Sequence, residues 1–169
     1  MRIILFVPFR AEGGSLKNLV QLLSAWNRQG AIAQHAVILH AVTESIQRIV
    51  AQTGPLAGMQ TVAMPQSASQ GIGRLIYDRF SAARNIMALR PDVIFCPGGT
   101  APRGVTAPTV VNYQNLLPLE NNLYAATQNP RLFVSQFILR RMFRRSLRAA
   151  TVPIFNSTYA HRQFEALMG

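Results

Sequence analysis

The sequence predicts an α/β domain built on a doubly wound, mostly parallel sheet with helices on both faces. Short apolar runs of strand length alternate along the whole chain with longer segments of helical periodicity. Two glycine loops, Gly13-Gly14 and Gly98-Gly99, each follow one of the apolar runs directly. The length of 169 residues and the hydrophobic content of 49% suit a single domain spanning residues 1–169.

The first half of the chain predicts three strands separated by two helices. The strands are Ile3–Phe9, His35–Ala41 and the weaker Met59–Met64. Ser15 opens the first helix, whose apolar positions recur at helical spacing as far as Trp26, and Gly30 ends it. Thr43 caps the second helix, which ends at Gly54-Pro55.

The second half continues the alternation with strands at Val93–Cys96, Thr109–Asn112 and Val152–Phe155. The helix before the first of these has an apolar face formed by Ile72, Leu75, Ile76, Phe80, Ala83 and Met87. Tyr113–Asn122 is predicted as a polar loop and Arg131–Ala149 as a helix. Asn156 or Ser157 caps the last helix, which reaches the end of the sequence.

The first glycine loop and the helix after it predict a phosphate-binding junction. Backbone N–H groups of Gly13, Gly14 and Ser15 would meet the positive end of the helix dipole, and glycine allows a ligand close to the backbone. In a doubly wound sheet of order 3-2-1-4-5-6, ligands bind where the winding reverses, between the first and fourth strands. Both glycine loops follow those two strands, so we expect them to lie side by side.

Several chemistries lack the residues that they require. The glycines do not have the G-x-G-x-x-G spacing of a dinucleotide site, and Lys17, the only lysine, is not part of a P-loop. The acidic residues are too scattered to form a hydrolytic pair, and no G-x-S-x-G elbow is present. Cys96 is the only cysteine and the histidines have no ligand spacing, so we expect no metal site.

Arginines are concentrated in the predicted helix Arg131–Ala149. The chain has 17 basic and 6 acidic residues, a net charge of +11, and all bases but Lys17 are arginines. The basic set that we expect on the outer face consists of Arg140, Arg141, Arg144, Arg145 and Arg148. Solvent and an anionic membrane surface both remain open as its environment. Nucleic acid is disfavoured, because no base-stacking aromatic residues are interleaved with the arginines.

The apolar runs are shorter than the roughly 18–20 residues that span a bilayer. The N-terminal run lacks a small-residue cleavage site and continues directly into Arg10 and Glu12, unlike a signal peptide. We therefore expect a cytoplasmic protein, located at the inner face of the plasma membrane if the arginine-rich helix binds lipid.

Four segments of the chain carry a resemblance to a known enzyme family. They are the Gly13-Gly14 loop, the strand entry Arg90-Pro91-Asp92-Val93-Ile94, the segment Val111-Asn112-Tyr113-Gln114-Asn115-Leu116-Leu117-Pro118, and the junction Ile154-Phe155-Asn156-Ser157-Thr158-Tyr159-Ala160. Together they resemble the N-terminal half of family 4 glycosyltransferases, and the likeness extends over the whole chain. The Gln-Asn-x-x-Pro part is the most particular of these motifs.

The resemblance implies a GT-B enzyme, in which two Rossmann-like domains face each other across a cleft. Such enzymes transfer a sugar from a nucleotide-sugar donor with retention of configuration and without a bound metal or other cofactor. The resemblance implies that Gly13, Gly14 and Ser15 approach the donor diphosphate, and that Gly98, Gly99 and Thr100 line the acceptor side. Gln114 and Asn115 stand where many relatives carry a histidine near the transferred sugar. An amide can bind a sugar hydroxyl but is no base at neutral pH, so no catalytic residue is assigned.

The donor domain of this family carries two glutamates separated by seven residues, and no two acids of this chain have that spacing. The resemblance therefore implies an acceptor-binding domain. Its partners would be the C-terminal donor domain of the same polypeptide and a glycan or lipid-linked acceptor, in the synthesis of cell-surface glycans or glycolipids. The alternative is a stand-alone Rossmann-like module that binds a nucleotide or another phosphorylated ligand.

Overall fold

The protein, described here from a computed structural model, contains a six-stranded, wholly parallel sheet. The structure describes residues 1–69, 71–113 and 130–168. The strands are β1 (Arg2–Val7), β2 (Ala36–Val42), β3 (Met59–Met64), β4 (Val93–Cys96), β5 (Thr109–Tyr113) and β6 (Val152–Phe155). They lie in the order β3-β2-β1-β4-β5-β6, so the winding reverses between β1 and β4, as predicted.

Helices pack on both faces of this sheet, which confirms the predicted doubly wound architecture. They are α1 (Gly13–Arg28), α2 (Ala31–Gln34), α3 (Thr43–Thr53), α4 (Gly71–Phe80), α5 (Ala82–Ala88), α6 (Pro130–Ala149) and α7 (Thr158–Met168). A short 3-10 turn, Gln66–Ser69, precedes α4. One core lies beneath α1, α2 and α3, and the other beneath α4, α5, α6 and α7.

Strand β1 shows how the sequence builds these two cores. Side chains alternate between the faces of a strand, so a strand buried on both sides is apolar throughout. Ile4 and Phe6 belong to one core, whereas Leu5 and Val7 belong to the other. All four side chains are buried.

Several predicted boundaries differ from those observed. Helix α1 begins at Gly13 with Glu12 as its N-cap, not at Ser15, and Val42 rather than Thr43 precedes α3 as its N-cap. Ser81 separates α4 from α5 within what the pattern predicted as one helix. Ser157 caps α7 as expected, because its Oγ accepts a hydrogen bond from the N–H of Ala160 at 3.1 Å.

Helix α4 is rotated relative to the sequence prediction. Ile72 and Phe80 are 75% and 70% exposed, and Ile76 is exposed as well. Tyr77 and Asp78 are instead buried. Leu75, Ala83 and Met87 of the predicted face are half-buried, so the prediction was wrong for Ile72, Ile76 and Phe80 only.

Candidate functional site

The two glycine loops lie side by side, since β1 and β4 are neighbours in the sheet. Between them is a pocket of about 200 Å³. Its lining comes from the β1 loop, α1, α4, the β4 loop and α6: Phe9, Ser15, Asn18, Leu19, Leu22, Arg74, Pro97, Gly98, Leu139 and Phe143. A larger cavity of about 450 Å³ lies beside residues 101–109, away from the point where the winding reverses. The smaller pocket is therefore the candidate site.

The first glycine loop leaves room for a ligand. At Gly14 the backbone has no left-handed φ, and an added Cβ would meet no atom within 4 Å. At Gly13 the space is equally open, but its φ of +50° favours glycine. The fold therefore does not require a glycine at position 14.

Ser15 serves the start of α1. Its Oγ donates a hydrogen bond to the carbonyl oxygen of Glu12 at 2.8 Å and accepts one from the N–H of Glu12 at 3.1 Å. This arrangement is one half of a capping box. The Ser15 side chain thus lines the pocket while already holding the turn that precedes it.

Acidic and basic side chains balance each other around that turn. The Arg10 guanidinium lies 2.7 Å from the Glu12 carboxylate and 2.5 Å from that of Glu44. Arg48 lies 2.9 Å and 2.7 Å from the same two carboxylates. The hydrogen bond from Arg10, with the charges of both arginines, lowers the pKa of Glu44. The two carboxylates thus offset the two arginines beside the N-terminus of α1. A positive charge for binding an anion in the pocket must therefore come largely from another element.

The second glycine loop is tightly packed. A Cβ at Gly98 would overlap the ring of Phe9, and one at Gly99, where φ is +73°, would lie 3.0 Å from Phe143 Cζ. Packing of the two cores therefore accounts for both glycines without a ligand. Thr100 is buried, and its Oγ1 accepts a hydrogen bond from Nη2 of Arg74 at 2.7 Å.

Arg74 and Asp78, which the sequence analysis did not single out, form the polar face of α4. The Asp78 carboxylate pairs with Arg145 at 2.7 Å and accepts a hydrogen bond from the N–H of Arg103 at 3.2 Å. Arg74 lines the pocket and is its only charged lining residue within the part of the chain that the structure describes. A polar pair four residues apart within an apolar helix was the available signal, since such residues share one face.

The arginines of α6 do not all face the same way. Arg141, Arg144 and Arg148 are exposed and follow Val134 and Phe137 along one stripe. Arg145 departs from the expected outward set, because it pairs with Asp78 and donates a hydrogen bond to the carbonyl oxygen of Ala101 at 2.9 Å. Arg140 is half-buried. Gln114 and Asn115 lie outside the described residues, as does most of the predicted loop Tyr113–Asn122, whereas Tyr113 itself ends β5.

Titratable side chains elsewhere are engaged in the core. His40 is buried, with Nδ1 3.0 Å from the carbonyl oxygen of Val62 and Nε2 2.8 Å from the hydroxyl of Tyr77. Burial lowers the pKa of His40. Across residues 1–69, 71–113 and 130–168, no group of three or more metal-ligating side chains comes together. Over the same ranges, no helix combines the length and apolar character needed to cross a bilayer.

Comparison with known proteins identifies no relative. No family model, no curated protein sequence and no solved structure matches the chain significantly.

Proposed function

We propose that this domain is the acceptor-binding half of a retaining, nucleotide-sugar-dependent glycosyltransferase that builds cell-surface glycans or glycolipids. The observation that carries the proposal is the pocket between the β1 and β4 loops, at the point where the winding of the sheet reverses. Doubly wound sheets bind their ligands at this position. The sequence resemblance supplies the reaction class, and the open space over Gly14 supplies room for a second substrate.

In this proposal a donor domain of the same polypeptide would close the cleft from the opposite side. The nucleotide-sugar diphosphate would approach the backbone of Gly13, Gly14 and Ser15. The acceptor would lie on the side of Gly98, Gly99 and Thr100. Apolar walls from Leu19, Leu22, Leu139 and Phe143 suit a sugar face or a short lipid segment, and Arg74 adds one charged group to the lining. Gln114 and Asn115 keep the sugar-binding role that the resemblance implies.

The test measures sugar transfer by the complete gene product from a panel of nucleotide sugars. Gly14→Trp should abolish transfer, because its Cβ would meet no atom within 4 Å and the indole would extend into the space above the loop. The matched control is Asn27→Trp, an exposed position on the same helix about 20 Å away by helix rise. Asn27→Trp should transfer normally. Equal activity of the two variants would remove the first glycine loop from the proposal.

The alternative is a stand-alone module that binds a nucleotide or another phosphorylated ligand in the same pocket. The position of the pocket favours this module, and that position was found without use of the sequence resemblance. Calorimetric titration of this chain with nucleoside diphosphates separates the two functions. Low-micromolar binding together with an absence of transfer by the gene product would favour the module.

We also propose that an anionic membrane surface is a partner, which places the protein at the inner face of the plasma membrane. On α6, the exposed Val134 and Phe137 precede Arg141, Arg144 and Arg148 on one stripe, a pattern typical of helices that lie on membranes. Helix α4 covers the same face of the sheet and exposes Ile72, Ile76 and Phe80.

Vesicle co-sedimentation tests the membrane proposal. Each basic residue near an anionic surface contributes about 1 kcal/mol, so changing Arg141, Arg144 and Arg148 to Gln should weaken binding about 100-fold. Changing Lys17, Arg28 and Arg162 to Gln removes the same charge from exposed positions outside α4 and α6. Equal losses in the two triple variants would mean that net charge alone governs binding.

A further inference from the structure

The rotation of α4 turns Arg74 toward the interior of the domain. A Cβ at Gly73 would overlap the carbonyl oxygen of Ser67, so the turn Gln66–Ser69 packs directly on the first part of the helix. One turn further on, the Tyr77 hydroxyl lies 2.8 Å from Nε2 of His40. These contacts hold the polar face of α4 inward and leave its apolar side chains exposed.

Within this enclosed position, Arg74 is incompletely partnered. Its Nη2 donates to Thr100, but its Nε is buried and meets no acceptor among the described residues. None of the carboxylates in the described part of the chain lies within ion-pair distance of the Arg74 guanidinium. Burial lowers the pKa of Arg74, and the charge of Asp78 opposes this change only in part. Arginine nevertheless remains protonated in proteins.

The Asp78 carboxylate contacts Arg145 and the N–H of Arg103 rather than Arg74, and its charge acts on Arg74 only through space. The cluster of Arg74, Asp78 and Arg145 therefore has one more cation than anion. Arg74 is half-buried, and a charge that is partly removed from water without a carboxylate partner is stabilised when an anion binds it. The pocket that Arg74 lines supplies the space for such an anion.

We propose that Arg74 is the anion-binding residue of the pocket and that it holds a phosphate group of a small phosphorylated ligand between α1 and the β4 loop. The pocket volume of about 200 Å³ suits a ligand fragment such as a phosphate with one sugar ring or a short prenyl segment. Guanidinium is well suited to this role, because its fork of N–H donors matches two phosphate oxygens. This inference rests on the proposed function for the identity of the ligand, namely the phosphate of the acceptor.

Inorganic pyrophosphate is the first probe, measured by calorimetry and by thermal shift on the intact chain. Arg74→Gln should weaken its binding at least about tenfold, a loss of about 1.4 kcal/mol, and Arg74→Lys should retain part of the affinity. Arg79→Gln, which removes the same charge from an exposed position on the same helix, should bind within about twofold of wild type. The melting temperature without pyrophosphate verifies that each variant folds.

Two further probes identify the source of the phosphate. Glucose 1-phosphate represents a soluble sugar phosphate, and farnesyl diphosphate represents a lipid-linked one. Arg74-dependent binding that is tighter for farnesyl diphosphate supports the site and assigns a lipid-linked ligand, whereas tighter binding of glucose 1-phosphate supports it and assigns a soluble ligand. Glucose without phosphate should not compete with either probe.

The inference is overturned if wild type binds none of the phosphorylated probes, or if Arg74→Gln binds them as tightly as Arg79→Gln. Its failure is distinguishable from failure of the proposed function. Arg74-dependent phosphate binding without sugar transfer by the gene product would leave the anion site intact and refute the transferase. Sugar transfer that is unchanged in Arg74→Gln would support the transferase and refute the role of Arg74 in holding the acceptor phosphate.

Discussion

Replacing Arg74 with methionine separates a ligand-binding arginine from a structural one. Methionine has a similar length, fills the same space and carries no charge. In a protein where Arg74 only supported the fold, this change would resemble the breaking of a buried ion pair, which costs about 3–5 kcal/mol. Arg74 has no carboxylate partner among the described residues, so we expect a much smaller change in the free energy of unfolding.

The contacts of Arg74 give the size of that change. Methionine loses the hydrogen bond from the guanidinium to Thr100, worth about 1.5–3 kcal/mol for a charged donor. It also removes a buried Nε without an acceptor among the described residues, a group that costs about 1–3 kcal/mol. The two effects largely offset each other, so the unfolding free energy without ligand should stay within about 1 kcal/mol of wild type. In a domain of this size that is a change of at most about 4 °C in melting temperature.

The matched change is Asp78→Asn, which leaves the half-exposed Arg145 without its carboxylate. We expect this variant to lose about 3 kcal/mol, the lower end of the range for a broken buried pair, because the Arg145 side chain is 32% exposed. An unchanged free energy of unfolding in Arg74→Met, together with a lower one in Asp78→Asn, would show that Arg74 is the cation in excess in this cluster.

Urea unfolding followed by the fluorescence of Trp26, the only tryptophan, measures both variants. Pyrophosphate at about 100 times its dissociation constant should stabilise wild type by about 2.7 kcal/mol, or about 5–11 °C. The same concentration of pyrophosphate should leave the free energy of unfolding of Arg74→Met nearly unchanged. A loss of more than about 3 kcal/mol in Arg74→Met without ligand would mean that the guanidinium is a structural partner and not a ligand-binding group.

Three further predictions follow from the core. Gly98→Ala should destabilise the domain by about 1–3 kcal/mol through overlap with Phe9, whereas Gly14→Ala should be neutral or stabilise it by up to about 1 kcal/mol; equal unfolding free energies would contradict the packing described. Burial lowers the pKa of His40, so near pH 6.5 the unfolded chain binds a proton that the folded chain does not bind. The free energy of unfolding should therefore fall as the pH is lowered from about 7.5 to 5.5, and should fall less steeply in His40→Gln. Parallel pH profiles of the two proteins would contradict this. Burial also raises the pKa of the Cys96 thiol, which should react with a disulfide reagent only as fast as the protein unfolds; rapid labelling of the native protein would count against its burial.

The order of the strands was predictable because the strand pattern is local and the rule for closing a doubly wound sheet is general. The predicted strand Ile3–Phe9 reads as buried, and the side chains of residues 4–7 do lie in the two cores, although the strand ends at Val7. The position of the two glycine loops then followed from their places after the first and fourth strands. Helix caps were less predictable: Glu12 and Val42 stand where Ser15 and Thr43 were expected, and Ser15 instead accepts a hydrogen bond from the N–H of Glu12 from within the first turn of α1.

The candidate site was predictable in location but not in chemistry. Gly98 and Gly99 suggested a ligand in the sequence, yet Phe9 and Phe143 account for both in the fold. The apolar residues of α4 did not predict its buried side, because contacts with His40 and Thr100, distant in sequence, and with Ser67 in the preceding turn set its rotation. Periodicity identifies a helix face but carries no information about which distant polar groups will meet it.

A pyrophosphate titration followed by NMR shows whether Arg74 binds an anion in the pocket between the β1 and β4 loops. We predict that the Nε–H resonance of Arg74 and the backbone N–H resonances of Ser15 and Gly98 shift together and saturate at one dissociation constant. These groups lie around a single pocket between the β1 and β4 loops. Shifts confined to Arg141, Arg144 and Arg148, without saturation and suppressed by salt, would contradict the claim, because they would mean that anions only screen the exposed basic stripe of α6.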